Sequence, residues 1–257
     1  MKTKLIKLSL CSCTLAICLS STLYAQPLLN VKIGETASDY TGGVGGGGPE
    51  VNGAYQESAA AVLGSANSWW NEYAYVGGTP FNVSVVDSGD NAIAGVTLTV
   101  SNSSGVGTKT TAGTNPNFLF QNGSYQNAGV GDYYTITLAG LAANTEYEFV
   151  GYAARTSSSA GATWAVTTGT LDSGTTSNNG TSMDITTGVG KSYSEFFANT
   201  DGSGNLVVTD SGNPSSSITV LDGFQLVAVP EPSTIALTLT ALGLLAGRIL
   251  IRRQQNV

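Results

Sequence analysis

The chain of 257 residues contains no histidine. That absence removes Ser-His-Asp and Cys-His nucleophilic catalysis and every imidazole-ligated metal site. Cysteine is almost as scarce: Cys11, Cys13 and Cys18 all lie close to the N-terminus. A mature chain that has lost that segment can form no disulfide and hold no thiolate-bound metal. Charged residues make up only 11% of the chain, and the bases are displaced to its ends. Lys2, Lys4 and Lys7 stand at the start and Arg248, Arg252 and Arg253 at the finish, which leaves Lys32, Lys109, Arg155 and Lys191 between them. Every acid except Glu231 lies in that same middle. So acidic a body has too few cations to displace the counterions of a phosphate backbone, which excludes nucleic acid as its partner.

What is present is clearest at the two ends. Residues 1–25 have the form of a secretory signal peptide: a lysine-bearing start, an apolar run from Leu8 to Leu19, and Leu23-Tyr24-Ala25 before Gln26. At the other end, Val229-Pro230-Glu231-Pro232-Ser233-Thr234 precedes an uncharged apolar stretch from Ile235 to Gly247. Arg248 interrupts it, and Ile249-Leu250-Ile251 lead into Arg252-Arg253. Residues 235–251 just suffice for a transmembrane helix, with Arg248 snorkelling and the closing arginines held in the cytoplasm. The two prolines stop that helix from running backwards and keep Glu231 in extended chain. The expected organisation is a signal peptide (1–25), an exported body (26–228) and a membrane-directed tail (229–257).

This tail resembles the PEP-CTERM sorting signal of Gram-negative bacteria. The residues that carry the likeness are Pro230, Glu231 and Pro232, the apolar run from Ile235 and the final Arg252-Arg253. The resemblance implies recognition by an exosortase, a membrane transpeptidase-like cysteine protease. The chain would be anchored transiently in the inner membrane, cut near the motif, and released or attached at the surface or in the extracellular matrix. It also implies a setting rich in extracellular polysaccharide.

The middle is rich in Gly, Ser, Thr, Asn and Val, and helical periodicity is nearly absent. Alternating runs dominate: Leu29/Val31/Ile33, Phe81/Val83/Val85, Val96/Leu98/Val100, Tyr134/Ile136/Leu138, Tyr147/Phe149 and Ile218 to Leu226. Each buries one face of a strand and wets the other. Turn clusters part them, at Asp87-Ser88-Gly89-Asp90-Asn91, Asp172-Ser173-Gly174, Asp201 to Asn205 and Asp210 to Pro214. The pattern predicts an all-β fold, a single antiparallel β-sandwich whose first and last strands are partners. One short helix is expected over Gln56–Gly64.

Ser68-Trp69-Trp70-Asn71, Gly95 to Val100, Tyr134 to Tyr147 and Leu221 to Leu226 are similar to the galactose-binding-like jelly-roll ectodomains of many PEP-CTERM proteins. Leu141, Asn144, Thr145 and Tyr147 also resemble the tyrosine corner of a fibronectin type III module, but the body is too long for one such module.

No catalytic constellation stands out. Most acids fall in turns or on wet strand faces, as Glu146 and Glu148 do, and the reading is not an enzyme. Asp87, Asp90 and Asn91, and separately Asp201 and Asn205, could offer oxygen ligands to Ca²⁺, and the jelly-roll likeness adds weight to a structural Ca²⁺, but the favoured reading is ordinary Asp-Gly turns with no cofactor. Trp69, Trp70, Tyr73, Tyr75 and Trp164, with Arg155, are the groups that could stack on a sugar, but core or rim packing is the favoured reading and no binding residue is assigned. Trp69 and Trp70 are adjacent, so an extended chain sends them to opposite faces. The functional expectation is a sorted surface protein with a structural or adhesive role. A non-catalytic module that binds extracellular polysaccharide is the alternative, and a polysaccharide-active enzyme ranks third.

Overall fold

The computed structural model describes residues 28–34, 53–57, 61–74, 81–103, 107–108, 124–126, 133–155, 160–181, 184–212 and 218–230. The signal peptide, the helix expected over 235–251, Glu231 and Pro232 lie outside them. In chain order the strands are β1 (Leu29–Gly34), β2 (Gly53–Glu57), β3 (Ser68–Ala74), β4 (Phe81–Val86) and β5 (Ala92–Asn102). Then come β6 (Gly107–Thr108), β7 (Ser124–Gln126), β8 (Tyr134–Ala139), β9 (Glu146–Tyr152) and β10 (Trp164–Thr168). The set closes with β11 (Thr170–Thr175), β12 (Tyr193–Asn199), β13 (Leu206–Asp210), β14 (Thr219–Leu221) and β15 (Gly223–Ala228). Among the described residues the one helical element is a single 3₁₀ turn at Ile185–Thr187.

Two large sheets face each other. One has seven strands in the order β11-β12-β9-β15-β1-β3-β2, the other five in the order β10-β13-β8-β5-β4. β6, β7 and β14 make a small third sheet. From β8 onward the chain steps repeatedly between the two large sheets. The alternation read from the sequence sets which side chains meet between them. Leu29, Val31, Ile33, Phe149, Phe196, Phe224 and Leu226 come from one sheet. Val96, Leu98, Val100, Ile136, Leu138, Leu206 and Val208 come from the other, and all belong to one buried cluster. The Phe149 ring stacks on Phe196 at 4.9 Å and on Phe224 at 5.2 Å, and meets Trp164 of the opposite sheet at 5.5 Å. Gly151 makes room for that indole: a Cβ there would lie 2.5 Å from Trp164.

The first and last strands pair as expected, β1 with β15 in the register Leu29↔Leu226 and Val31↔Phe224. The sheet is not wholly antiparallel, however: β1 runs parallel to β3. β15 occupies the antiparallel place beside β1, and the long connection from β1 to β3 lets the chain return in the same direction.

The helix expected at 56–64 does not form in its described part. Gln56 and Glu57 belong to β2, paired with Trp69 and Ser68. The N–H groups of Val62 and Leu63 donate to side chains instead, the Tyr152 hydroxyl at 3.1 Å and Gln225 Oε1 at 2.9 Å. Those bonds hold residues 61–63 against the outer face of the seven-stranded sheet, where Trp70, Val150, Tyr152, Ala154 and Tyr193 form a second buried cluster. A face expected to meet water is therefore covered.

Candidate functional site

The sorting motif begins immediately after an interior strand. β15 is paired with β1 as far as Leu29↔Leu226 and with β9 on its other side up to Ala228↔Tyr147. Val229 is half-buried and Pro230 exposed. Only Val229 separates the last strand residue from Pro230-Glu231-Pro232.

Both loops weighed for Ca²⁺ ligation are the same five-residue turn. The Asp87 carboxylate accepts the Gly89 N–H at 2.8 Å, the Asn91 N–H at 2.9 Å and the Asn91 side-chain amide at 3.1 and 3.2 Å. Asp201 accepts the Ser203 and Asn205 N–H groups, each at 2.8 Å, and the Asn205 amide at 3.2 Å. The fourth residue of each turn adopts positive φ, 65° at Asp90 and 76° at Gly204. The Asp87 and Asp201 carboxylates already accept N–H groups, and an N–H donor and a metal compete for the same lone pairs. The N–H of Asn205, above all, holds the Asp201 carboxyl below the usual carboxylate range. Among the described residues no group of three acids converges on one point.

Most of the aromatics weighed for stacking serve the cores, the reading favoured from the sequence. Trp70 is 1%, Tyr73 3% and Trp164 2% exposed, and Trp69 is half-buried. The opposite facing of the two adjacent tryptophans holds: Trp70 packs in the outer cluster, while Trp69 alternates with it. Tyr75 lies outside the described residues, and Arg155 is half-buried at the far end of β9. The tyrosine-corner likeness has a physical counterpart, since the Tyr147 hydroxyl accepts the Ala142 N–H at 3.2 Å.

Sequence reasoning missed the buried polar groups. On the outer face of the seven-stranded sheet, Gln225 Nε2 donates to Asn30 Oδ1 at 2.7 Å and to the Leu63 carbonyl at 2.8 Å. Its Oε1 accepts the Tyr152 hydroxyl at 2.6 Å. Burial pushes that hydroxyl far above the usual tyrosine range. Lys32 and Glu72, opposite each other on β1 and β3, form a buried ion pair at 3.8 Å. A pair so far from water adds little net stability, but removing one partner leaves a costly lone charge. The signal for these groups was Asn30 and Lys32 at alternate positions of β1, with Gln225 on β15, where only a wet face was expected.

Two acids are fully buried. Asp210 ends β13; its Oδ1 accepts the Gly212 N–H at 2.9 Å, while Oδ2 accepts no hydrogen bond. Burial pushes its carboxyl well above the usual range, and the charge of Asp222 adds to the shift. Asp222 accepts the Ala154 N–H at 2.7 Å. On the outer face Glu148 is raised by partial burial and by the charge of Glu195. Glu146 is raised by partial burial, then by the charge and hydrogen bond of Asp172. A cleft of about 340 Å³ is lined by Ala162, Thr163, Thr176, Ser177, Asn178, Asn179 and Gly190, none of them ionisable. The Asn178 amide is committed internally, donating to the Ala153 carbonyl at 2.6 Å. None of these features joins a nucleophile to a base.

Compared with known families, residues 228–254 match the PEP-CTERM protein-sorting motif. A motif of this kind implies processing by an exosortase and export to the cell envelope of a Gram-negative bacterium. No curated protein and no solved structure matches the chain.

Proposed function

We propose that the chain is an exported surface or matrix protein whose all-β body has a structural or adhesive role. The observation that carries this reading is the sorting motif at residues 228–254, attached directly to a sandwich that needs no disulfide to close. In this reading residues 1–25 direct export, the helix over 235–251 holds the chain in the inner membrane, and an exosortase acts at Pro230-Glu231-Pro232. The repeated stepping of strands between two sheets supports a jelly-roll body. The body is read as non-catalytic: buried groups such as Asp222, Asn178 and Gln225 are committed to backbone groups and to one another, and no acid described is joined to a nucleophile. Acidity favours solubility and repels anionic polymers, so an adhesive contact would involve neutral glycans or cation-bridged acidic ones.

The reading is tested by fractionating cells with and without the sorting protease. The expected result is a shortened chain outside the cell in the first and a full-length, membrane-retained chain in the second. Identical size and location in both would refute it. The alternative, a carbohydrate-binding module, is separated by applying residues 26–230 to an array of polysaccharides; saturable binding to one class favours the module, and none favours the structural role.

A further inference from the structure

The cleft of about 340 Å³ lies where the chain enters β10 and leaves β11. Two of its walls are the segments 160–163 and 176–180, which run antiparallel. The Trp164 N–H donates to the Thr176 carbonyl at 2.7 Å and the Asn178 N–H to the Ala162 carbonyl at 3.1 Å. Thr163 and Ser177 stand opposite each other between these bonds. The third wall is the turn before β12. There the Asn179 N–H donates to the Gly190 carbonyl at 3.0 Å, and the Gly190 N–H to the Tyr193 carbonyl at 2.8 Å. Glycine lets the first two walls close in. A Cβ at Gly161 would lie 1.9 Å from the Asn178 carbonyl oxygen, and one at Gly180 2.1 Å from that of Ala160. Walls tied together by backbone bonds cost a ligand little ordering when it enters.

The lining is polar, uncharged and partly unspent. Thr163 Oγ1 is buried without a hydrogen-bond partner. A hydroxyl left in that state carries an uncompensated desolvation cost, which a bound donor or acceptor removes. Among the described residues, the Thr176 and Ser177 hydroxyls and Asn179 Nδ2 also make no hydrogen bond to protein. Asn179 Oδ1 is the spent end of its amide, accepting the Thr181 N–H at 3.2 Å and the Thr181 hydroxyl at 2.7 Å. Three hydroxyls that donate and accept, beside an amide that donates, match a ligand whose own groups do both. An anion would meet no cation in the lining, within a body already acidic, and an ammonium would meet no carboxylate. An extended peptide binds along an open sheet edge, and the facing backbone of these two walls is already paired. Ligand pockets run from about 300 to 1,000 Å³, so this one suits a short segment of a ligand rather than a folded partner.

We propose that this cleft binds a neutral, hydroxyl-rich saccharide unit, with Thr163, Thr176, Ser177 and Asn179 as its hydrogen-bonding groups. The inference rests on the adhesive side of the reading above and gives that contact a place on the body.

The test is isothermal titration of the protein purified from its native cells. The probes are neutral trisaccharides of glucose, galactose, mannose and N-acetylglucosamine, with trigalacturonate as the anionic comparison. The expected result is saturable binding of at least one neutral trisaccharide and none of trigalacturonate. Ser177→Ala and Thr163→Val each remove one hydroxyl. Each is expected to weaken that binding roughly three- to tenfold, the range for one uncharged hydrogen bond. Neither hydroxyl bonds to protein, so the melting midpoint should fall in neither variant. Ser177→Trp fills the cleft and should abolish binding. Failure of every neutral trisaccharide to bind overturns this inference and leaves the sorting reading and a structural role standing. Binding that survives all three substitutions unchanged, or trigalacturonate bound more tightly than the neutral sugars, also overturns it. A chain that binds but is recovered uncut from the cytosol refutes the sorting reading alone.

Discussion

Replacing Phe149 tests whether the two sheets are held by one aromatic centre. Its ring is fully buried and lies within 5.5 Å of three others, two on neighbouring strands and one, Trp164, on the opposite sheet. Phe149→Ala removes the buried ring and leaves a cavity that the neighbouring strands, fixed by their ladders, cannot collapse to fill. Such changes cost about 3–5 kcal/mol. For a body of this size each kcal/mol lowers the melting midpoint by roughly 2–4 °C. The expected fall is therefore roughly 6–20 °C, read by the loss of near-ultraviolet circular dichroism in residues 26–230. Leu171→Ala, at a side chain 48% exposed on the edge strand β11, serves as the control and should stay within about 0.5 kcal/mol of the parent. Equal effects of the two substitutions would refute the placement of Phe149 between the sheets.

Three further outcomes follow from the site geometry. The raised Asp210 carboxyl means that the folded chain holds a proton which the unfolded chain gives up at lower pH. Its contribution is therefore present below the ordinary carboxylate range and is lost as pH rises towards the folded value. Asp210→Asn should flatten that decline, and a pH–stability profile identical to the parent's would contradict it. Asp201 is shifted the other way, so its contribution is present above the ordinary range and is lost as pH falls through the lowered value. Asp201→Ala should lower the melting midpoint at neutral pH, whereas adding Ca²⁺ or EDTA to the parent should leave it unmoved. A clear rise with Ca²⁺ would show that the turn oxygens are available to a cation after all. Gly140 has φ of 82°, and a Cβ there would lie 2.0 Å from the Gly95 carbonyl oxygen. Gly140→Ala should cost about 1–3 kcal/mol, read by chemical denaturation, and a neutral result would contradict the close approach of the two turns.

The strands were legible because their inward residues alternate without interruption. Val96-Leu98-Val100 and Tyr134-Ile136-Leu138 each give a period of two, and both lie buried as expected. The turns at Asp87–Asn91 and Asp201–Asn205 were legible because Asp, Gly and Asn at fixed offsets satisfy backbone N–H groups locally; Asp172-Ser173-Gly174, expected as a turn, lies instead within β11, paired with β12 across a register shift between Leu171 and Ser173. What a local pattern cannot show is what covers the outer face of a sheet. Asn30, Lys32 and Gln225 look solvent-facing in sequence but are buried. Some of their partners are distant: Leu63, which bonds Gln225, stands far upstream in the chain. The parallel pairing of β1 with β3 was hidden for the same reason, since it depends on which strand takes the other side of β1. The C-terminal sorting motif was legible as chemistry and charge order, and the family comparison supports it.

The intact mass of the protein recovered from the surface or medium of its native cells tests the central claim most directly. The account predicts one chain that begins at or near Gln26 and lacks the apolar tail with Arg248, Arg252 and Arg253. A chain of all 257 residues, recovered from the cytosol, would contradict it.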